Sequence, residues 1–162
     1  MKLNSTTVKL DEIDRKILEI LQTNAKITNA QLSKDIGLSP APTLERVKKL
    51  ENSGIIKSYH PQLDTDRIGL GVHTFVQVTL KGHNKKNIDL FLGEINQIPE
   101  IIECYQVTGN ADYFLKVVVK DIPSFESLIS NKLSQIEEIG QMQTMMILSK
   151  AKDSKVIPFE ID

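Results

Sequence analysis

The sequence predicts an α+β chain in two parts, an N-terminal helix-turn-helix (winged-helix-like) domain and a C-terminal ferredoxin-like βαββαβ domain. Three observations carry this. Apolar residues recur with a helical period through the first 53 positions; the period changes to two at Val72; and alternating and helical segments then follow in the order strand, helix, strand, strand, helix, strand. On this reading residues 1–60 form the first domain, residues 61–71 a linker and residues 72–162 the second domain.

With 40% hydrophobic and 25% charged residues over 162 positions, the chain has the composition of a folded soluble protein. No stretch approaches the roughly 18 apolar residues of a membrane span. The start, Met1-Lys2-Leu3-Asn4-Ser5-Thr6-Thr7, lacks the hydrophobic core of a signal peptide, so a cytoplasmic protein with no membrane partner is expected. The net charge of −1 conceals an asymmetry: residues 1–60 hold ten Lys/Arg against seven Asp/Glu, a net of +3, and residues 61–162 a net of −4. A modestly basic head on an acidic body suits a polyanion at the head, although a difference of this size sets no geometry. The one cysteine, Cys104, sits in an alternating apolar stretch and is expected to be a small buried hydrophobe.

The first helix is expected to open at Asp11, with Ile13, Ile17, Leu18, Ile20 and Leu21 on one stripe. Thr28 caps the second, with Gln31 as the reciprocal partner of a capping box and Leu32 and Ile36 facing inward. Gly37 supplies the positive φ that ends it. Ser39-Pro40 restarts the chain, serine as N-cap and proline at the first helical position, where no N–H is needed. Leu44, Val47 and Leu50 then form an inward stripe, leaving Ala41, Thr43, Arg46, Lys48 and Lys49 on or near the outer surface until Gly54. Two short helices across a Gly-Leu-Ser turn describe a helix-turn-helix, whose second helix enters the major groove of double-stranded DNA. The partial positive charge of a helix N-terminus favours phosphates, and small residues there let the backbone approach the bases. The candidate DNA contacts are Ser39, Pro40, Ala41, Thr43, Arg46 and Lys49. The plainer alternative is a three-helix bundle with a solvated charged face.

Residues 55–64 carry a β-branched start and Pro61, the marks of an edge strand or linker, and Gly69 and Gly71 loosen the chain beyond them. From Val72 to Lys81 apolar and polar residues alternate as a strand. Ile88, Phe91, Leu92, Ile95 and Ile98 mark a helix closed by Pro99. Strands over residues 101–107 and 113–119 are joined by Gly109-Asn110 as an antiparallel hairpin. Pro123 leads into a helix with Phe125, Leu128, Ile129, Leu133 and Ile136 on its stripe, and a last strand covers residues 141–150. Both helices pack on one face of such a sheet, yet apolar residues occupy both faces of the third strand: Tyr113, Leu115, Val117 and Val119 on one, Phe114 and Val118 on the other. A partner subunit is expected to cover the second face.

Two blocks of residues are familiar. Leu10-Asp11-Glu12-Ile13-Asp14-Arg15-Lys16-Ile17-Leu18, the run from Leu38-Ser39-Pro40-Ala41-Pro42-Thr43 to Glu51, and Gly54-Ile55-Ile56 resemble the DNA-binding head of the Lrp/AsnC (leucine-responsive / asparagine-operon, feast/famine) transcriptional regulators. Ala41 stands where a threonine is often found. Glu103-Cys104-Tyr105-Gln106-Val107-Thr108-Gly109-Asn110-Ala111-Asp112-Tyr113-Phe114-Leu115 and Thr144-Met145-Met146-Ile147-Leu148 resemble the effector-binding domain of the same family. The resemblance runs from about Leu10 to about Lys152 and departs from the family at residues 138–143, which lack the common Pro-Gly-Val turn.

The resemblance implies a sequence-specific transcriptional regulator whose assembly or DNA binding is modulated by a small amino acid. It implies a homo-oligomer of dimers that assemble further, often into octamers, with amino acids bound between dimers near the Gly-x-x-Asp loop. The effector residues it points to are Gly109, Asn110, Ala111, Asp112, Tyr113 and Thr144. An amino acid presents an ammonium and a carboxylate about 3 Å apart, so its receptor needs an anionic acceptor beside several donors. Asp112 offers the first, and backbone N–H groups of residues 109–111 offer the others. The competing reading is that Gly109 and Asn110 turn a hairpin and Asp112 caps it. An enzyme is not expected: there is no Gly-rich phosphate loop and no metal-ligand spacing, and His60, His73 and His83 are scattered without a nucleophile motif. No cofactor or metal is expected. A pure amino-acid-binding module leaves the helix-turn-helix unused, and a nucleoid-associated protein without specific operator control fits poorly with a head of only +3.

Overall fold

The computed structural model describes residues 8–159. The chain divides into two compact units: one extends to Gln62 and takes up the chain again at Lys152, the other is Leu63–Ala151.

The head holds α1 (Glu12–Thr23), α2 (Asn29–Ile36) and α3 (Pro40–Asn52), and no strand among the described residues. Asp11 caps α1 in a capping box with Asp14, its carboxylate accepting from the Asp14 N–H at 2.8 Å. Thr28 caps α2 as expected, but Gln31 does not reach back; its Nε2 donates instead to Asp35 at 2.7 Å, a carboxylate one turn along. Gly37 takes φ +73° between α2 and α3. Ile17, Leu18, Leu32, Ile36 and Leu50 form the core.

The third helix is turned away from its expected facing. Thr43 is fully buried, whereas Leu44, expected inward, is 44% exposed. The reason is chemical: the Thr43 hydroxyl donates to the Ser39 carbonyl at 2.9 Å, so its polar group is satisfied within the helix and its methyl packs as an apolar residue. Thr43, Val47 and Leu50 are as good a helical stripe as the expected one.

In the other unit β1 (Val72–Leu80), β2 (Ile101–Gln106), β3 (Tyr113–Val119) and β4 (Ile139–Met146) form one antiparallel sheet in the order β2-β3-β1-β4. Between them run α4 (Lys85–Ile95) and α5 (Ile122–Asn131), the latter followed by a short 3-10 turn, Leu133–Gln135. This is the ferredoxin-like order βαββαβ. Val76, Val78 and Leu80 of β1 and Leu115 and Val117 of β3 meet Phe91 and Ile95 of α4 and Phe125 and Leu128 of α5 in a closed core. The expected hairpin is present, its loop closed by the Val107 N–H on the Asp112 carbonyl at 2.9 Å. β4 begins two residues early and ends at Met146, opposite Thr74, with one further bond to β1, from the Ile147 N–H to the His73 carbonyl at 2.9 Å. Cys104 is a correction: on edge strand β2 it is exposed, although partial burial still pushes its thiol pKa up.

Residues 152–159, placed by sequence in the second domain, group by their contacts with the head, where Phe159 packs against the head core.

Candidate functional site

Two surfaces gather the candidate residues. On the head, Ser39, Pro40 and Ala41 form the exposed start of α3. Ser39 has extended backbone angles but its hydroxyl makes no capping bond, and with prolines at 40 and 42 few N–H groups in this turn are free to donate. Farther along the same side lie Leu44, Glu45 and Lys48, all exposed. Lys49 is 64% exposed and sits 3.9 Å from Asp14.

Two expected contacts point elsewhere. Thr43 is buried, as described. Arg46 turns toward α1, where its Nη1 pairs with Asp11 at 2.6 Å and Asp14 at 2.8 Å. Hydrogen bonding to those carboxylates raises the guanidinium pKa further, and the Arg46 hydrogen bond is the main cause that lowers that of Asp11. Asp14 is 1% exposed, so its charge is tolerable only beside a cation. Arg46 therefore fastens α3 to α1 and does not lie on the outer face with Ser39 and Ala41. Lys48, on the outer surface by sequence but not among the candidate contacts, is exposed on this side. The true facing of α3 would have identified it, but a buried threonine gives no hydrophobic signal in the sequence.

In the second unit, residues 107–112 form the loop between β2 and β3. Gly109 takes φ +116°, a conformation that favours glycine, and Gly109 and Asn110 are exposed. Ala111 is 8% exposed. Asp112 is a junction: its N–H donates to the Val78 carbonyl at 2.9 Å, Oδ2 accepts from the Leu80 N–H at 2.8 Å, and Oδ1 lies 2.9 Å from His83 Nε2. The Asp112 side chain thus ties the end of the loop to the end of β1. Its carboxylate still has acceptor capacity, and its partner His83 is 66% exposed.

Tyr113 is a correction. It is 4% exposed and its ring packs on Phe91 with centroids 4.9 Å apart, so it belongs to the core, where burial raises its phenol pKa. Thr144 is exposed on β4 opposite Val76, with β1 lying between it and β3. The structure brings Asp112 of this loop together with His83, turns the Tyr113 side chain into the core and leaves Thr144 across β1 from β3. His83 was legible in principle, because the ferredoxin-like strand order sets the C-terminal end of β1 beside the N-terminal end of β3. Among the described residues no group of acidic, histidine and cysteine side chains is arranged to hold a metal ion.

Comparison with known proteins agrees with both halves. Residues 10–57 match the model of a winged helix-turn-helix DNA-binding domain, and residues 73–157 that of the Lrp/AsnC ligand binding domain. The chain is 39% identical to the transcriptional regulator AzlB of Bacillus subtilis over 153 residues, 94% of this chain and 98% of the relative. A Neisseria meningitidis transcriptional regulator solved in complex with L-Met superposes with a TM-score of 0.88 at 31% identity, covering 93% of this chain and 97% of the other. Escherichia coli AsnC gives 0.86 at 30% identity, covering 93% and 100%. With a helix-turn-helix head, a ferredoxin-like ligand-binding domain and relatives across nearly its whole length, the chain belongs to the Lrp/AsnC family of transcriptional regulators.

Proposed function

We propose that this regulator reads duplex DNA with the outer side of α3 and responds to a small amino acid held at residues 109–112, the two activities being joined in a homo-oligomer. The observation that carries the DNA reading is the facing of α3. Its inner side is fixed by Thr43, Leu50 and the Arg46 ion pairs, which leaves Ser39, Pro40, Ala41, Leu44 and Lys48 to meet a groove, with Lys49 at its margin. Mobility-shift assays on sites selected from a random pool test this. Lys48→Ala should weaken binding uniformly across sequences and reduce the salt slope by about 0.9 if it neutralises one phosphate. Binding without sequence preference would favour a nucleoid-associated role.

The effector reading rests on Asp112 beside the open loop and on the amino acid held by the Neisseria relative. An ammonium bound at Oδ1 competes with His83 or joins it, while Leu80 keeps Oδ2 in place. A thermal-shift screen against the twenty amino acids identifies the ligand, since one that binds only the folded state raises apparent stability. Asp112→Asn keeps an acceptor for the Leu80 N–H but removes the charge, so it should abolish that shift. Unchanged ligand affinity in this variant would place the sensor elsewhere.

Assembly is read from the sheet face that α4 and α5 leave uncovered. Phe75 and Phe114 meet there edge to face at 6.3 Å, beside Val118 and Met145. A second copy of the same face is the partner it fits, giving dimers and, through them, larger rings such as octamers. Light scattering of the full chain tests this; a monomer at micromolar concentration would refute it. The reading is of a cytoplasmic, non-catalytic protein. It is supported by relatives that are transcriptional regulators, and no described helix is long and apolar enough to cross a membrane.

A further inference from the structure

The regulator reading leaves the last described residues without a task. After β4 the Ile147 N–H donates to the His73 carbonyl at 2.9 Å, and from Lys152 the chain belongs to the head. There Gln22 of α1 holds it with both ends of one amide. Its Nε2 donates to the Ile157 carbonyl at 3.1 Å, and its Oε1 accepts from the Ile157 N–H at 2.6 Å. A carboxamide that pairs with the donor and acceptor of one residue imitates a rung of an antiparallel ladder and recognises extended backbone whatever its side chain. Ile157 is 69% exposed, so its backbone and not its side chain is what α1 engages. Phe159 supplies the apolar anchor against the head core. A cavity of about 350 Å³ lies beside the docked tail, with Ile157 and Phe159 on one side and Leu18, Leu21, Ile55 and Ile56 among its other walls.

A second observation lies where the chain leaves and re-enters the head. Gln62 is the last residue of the head before the chain departs, and Asp153 is the second after it returns. Gln62 Nε2 donates to Asp153 Oδ2 at 3.1 Å. The chain thus leaves the head once and returns to it once, and within the head the departing and returning ends are bonded to each other.

We infer that residues 152–159 are a strap, docked against α1, that makes the connection between head and body two-stranded and restricts how freely the head turns. Where the chain first leaves the head, residues 62–64 carry no regular secondary structure and alone leave rotation about their backbone bonds. A docked return path removes most of that freedom. The clamp is two hydrogen bonds and one aromatic anchor, a contact small enough to open without unfolding the head. Because the strap continues from the end of β4, it also gives the ligand-binding domain a covalent route to the head besides the linker.

The inference rests on the two-headed, DNA-binding assembly proposed above. The test uses full-length protein on duplexes carrying either one selected half-site or two half-sites whose spacing is changed in steps of one base pair. A restrained pair of heads loses its effective-concentration advantage when spacing is wrong, so the wild type should bind about ten-fold more weakly when two base pairs are inserted. Gln22→Ala, Phe159→Ala and a chain ending at Ala151 should bind one half-site within about two-fold of wild type and lose less than about three-fold on the same insertion. Gln22→Glu keeps the accepting oxygen but loses the donor, and should fall between. A merely structural contact would lower half-site binding and leave the spacing profile unchanged. Identical spacing penalties in the wild type, Gln22→Ala and the shortened chain overturn the strap, as does a flat wild-type profile. Light scattering separates the two readings: a monomeric wild type removes the assembly and the strap together, whereas a dimer with an unchanged profile removes the strap alone.

Discussion

Asp14 lies 1% exposed at the start of α1, where its charge depends on Arg46 at 2.8 Å and more distantly on Lys49 at 3.9 Å. Taking away one partner of a buried pair leaves the other uncompensated, so Arg46→Ala should destabilise the head by about 3 kcal/mol, the low end for such pairs because the Arg46 side chain is 30% exposed. Urea titration measures this, and Asp14→Asn added to Arg46→Ala should recover part of the loss. If Arg46 instead read a base, the double variant would stay defective on DNA at a temperature where it is fully folded. The same contact sets an acid limb. Asp11 is held below the ordinary carboxylate range, chiefly by its Arg46 hydrogen bond. A lowered folded-state value gives stability that is present above the unfolded pKa of about 3.9 and lost as pH falls through the folded value. Asp11→Asn should therefore flatten the fall in urea midpoint below about pH 4. None of this was legible in the sequence, since Arg46 and Asp14 are 32 positions apart and the facing of α3 depends on a threonine that hides its hydroxyl.

Elements were more legible than residues because their ends are written in local chemistry. Asp11, Thr28, Asn84 and Asp121 each cap a helix with a side-chain oxygen. Gly37 ends α2 at φ +73°, so Gly37→Ala should cost the head about 1 kcal/mol from backbone strain alone, read as a lower urea midpoint with an unchanged slope. Nothing lies within 4 Å of the added Cβ, which excludes a clash as the cause. Strand lengths were less legible, because alternation in the sequence does not say where a ladder with the neighbouring strand ends. Alternation carries on past Met146, but the ladder between β4 and β1 ends at the pair Met146 and Thr74, with only the Ile147 N–H bonding onward to the His73 carbonyl. The loop at 107–112 shows the same limit at the candidate site: Gly109 and Asn110 fix a turn, but that Asp112 would be held by Leu80 and His83 follows from strand order and not from the loop's own residues.

At the scale of the molecule, the two cores share no residue: one is built on Ile17, Leu18 and Leu50, the other on Phe91, Leu115 and Leu128. Independent cores unfold independently unless contacts between them cost more to break than either core alone, so heating should resolve two transitions. Phe91 is fully buried against Tyr113, and Phe91→Ala should destabilise the ligand-binding domain by about 3 to 5 kcal/mol and move only its transition. Assembly distinguishes the two further. If the face carrying Phe75 and Phe114 pairs with a second copy, the folded ligand-binding domain is stabilised by mass action, and its transition should rise with protein concentration while that of the head stays fixed. Phe114→Asp places a charge in the middle of that face without entering the core, since its neighbours Tyr113 and Leu115 are the buried ones. The variant should remove the concentration dependence of the one transition and leave the midpoint of the head unchanged. A concentration dependence that survives Phe114→Asp would mean that the subunits meet through a surface other than this sheet.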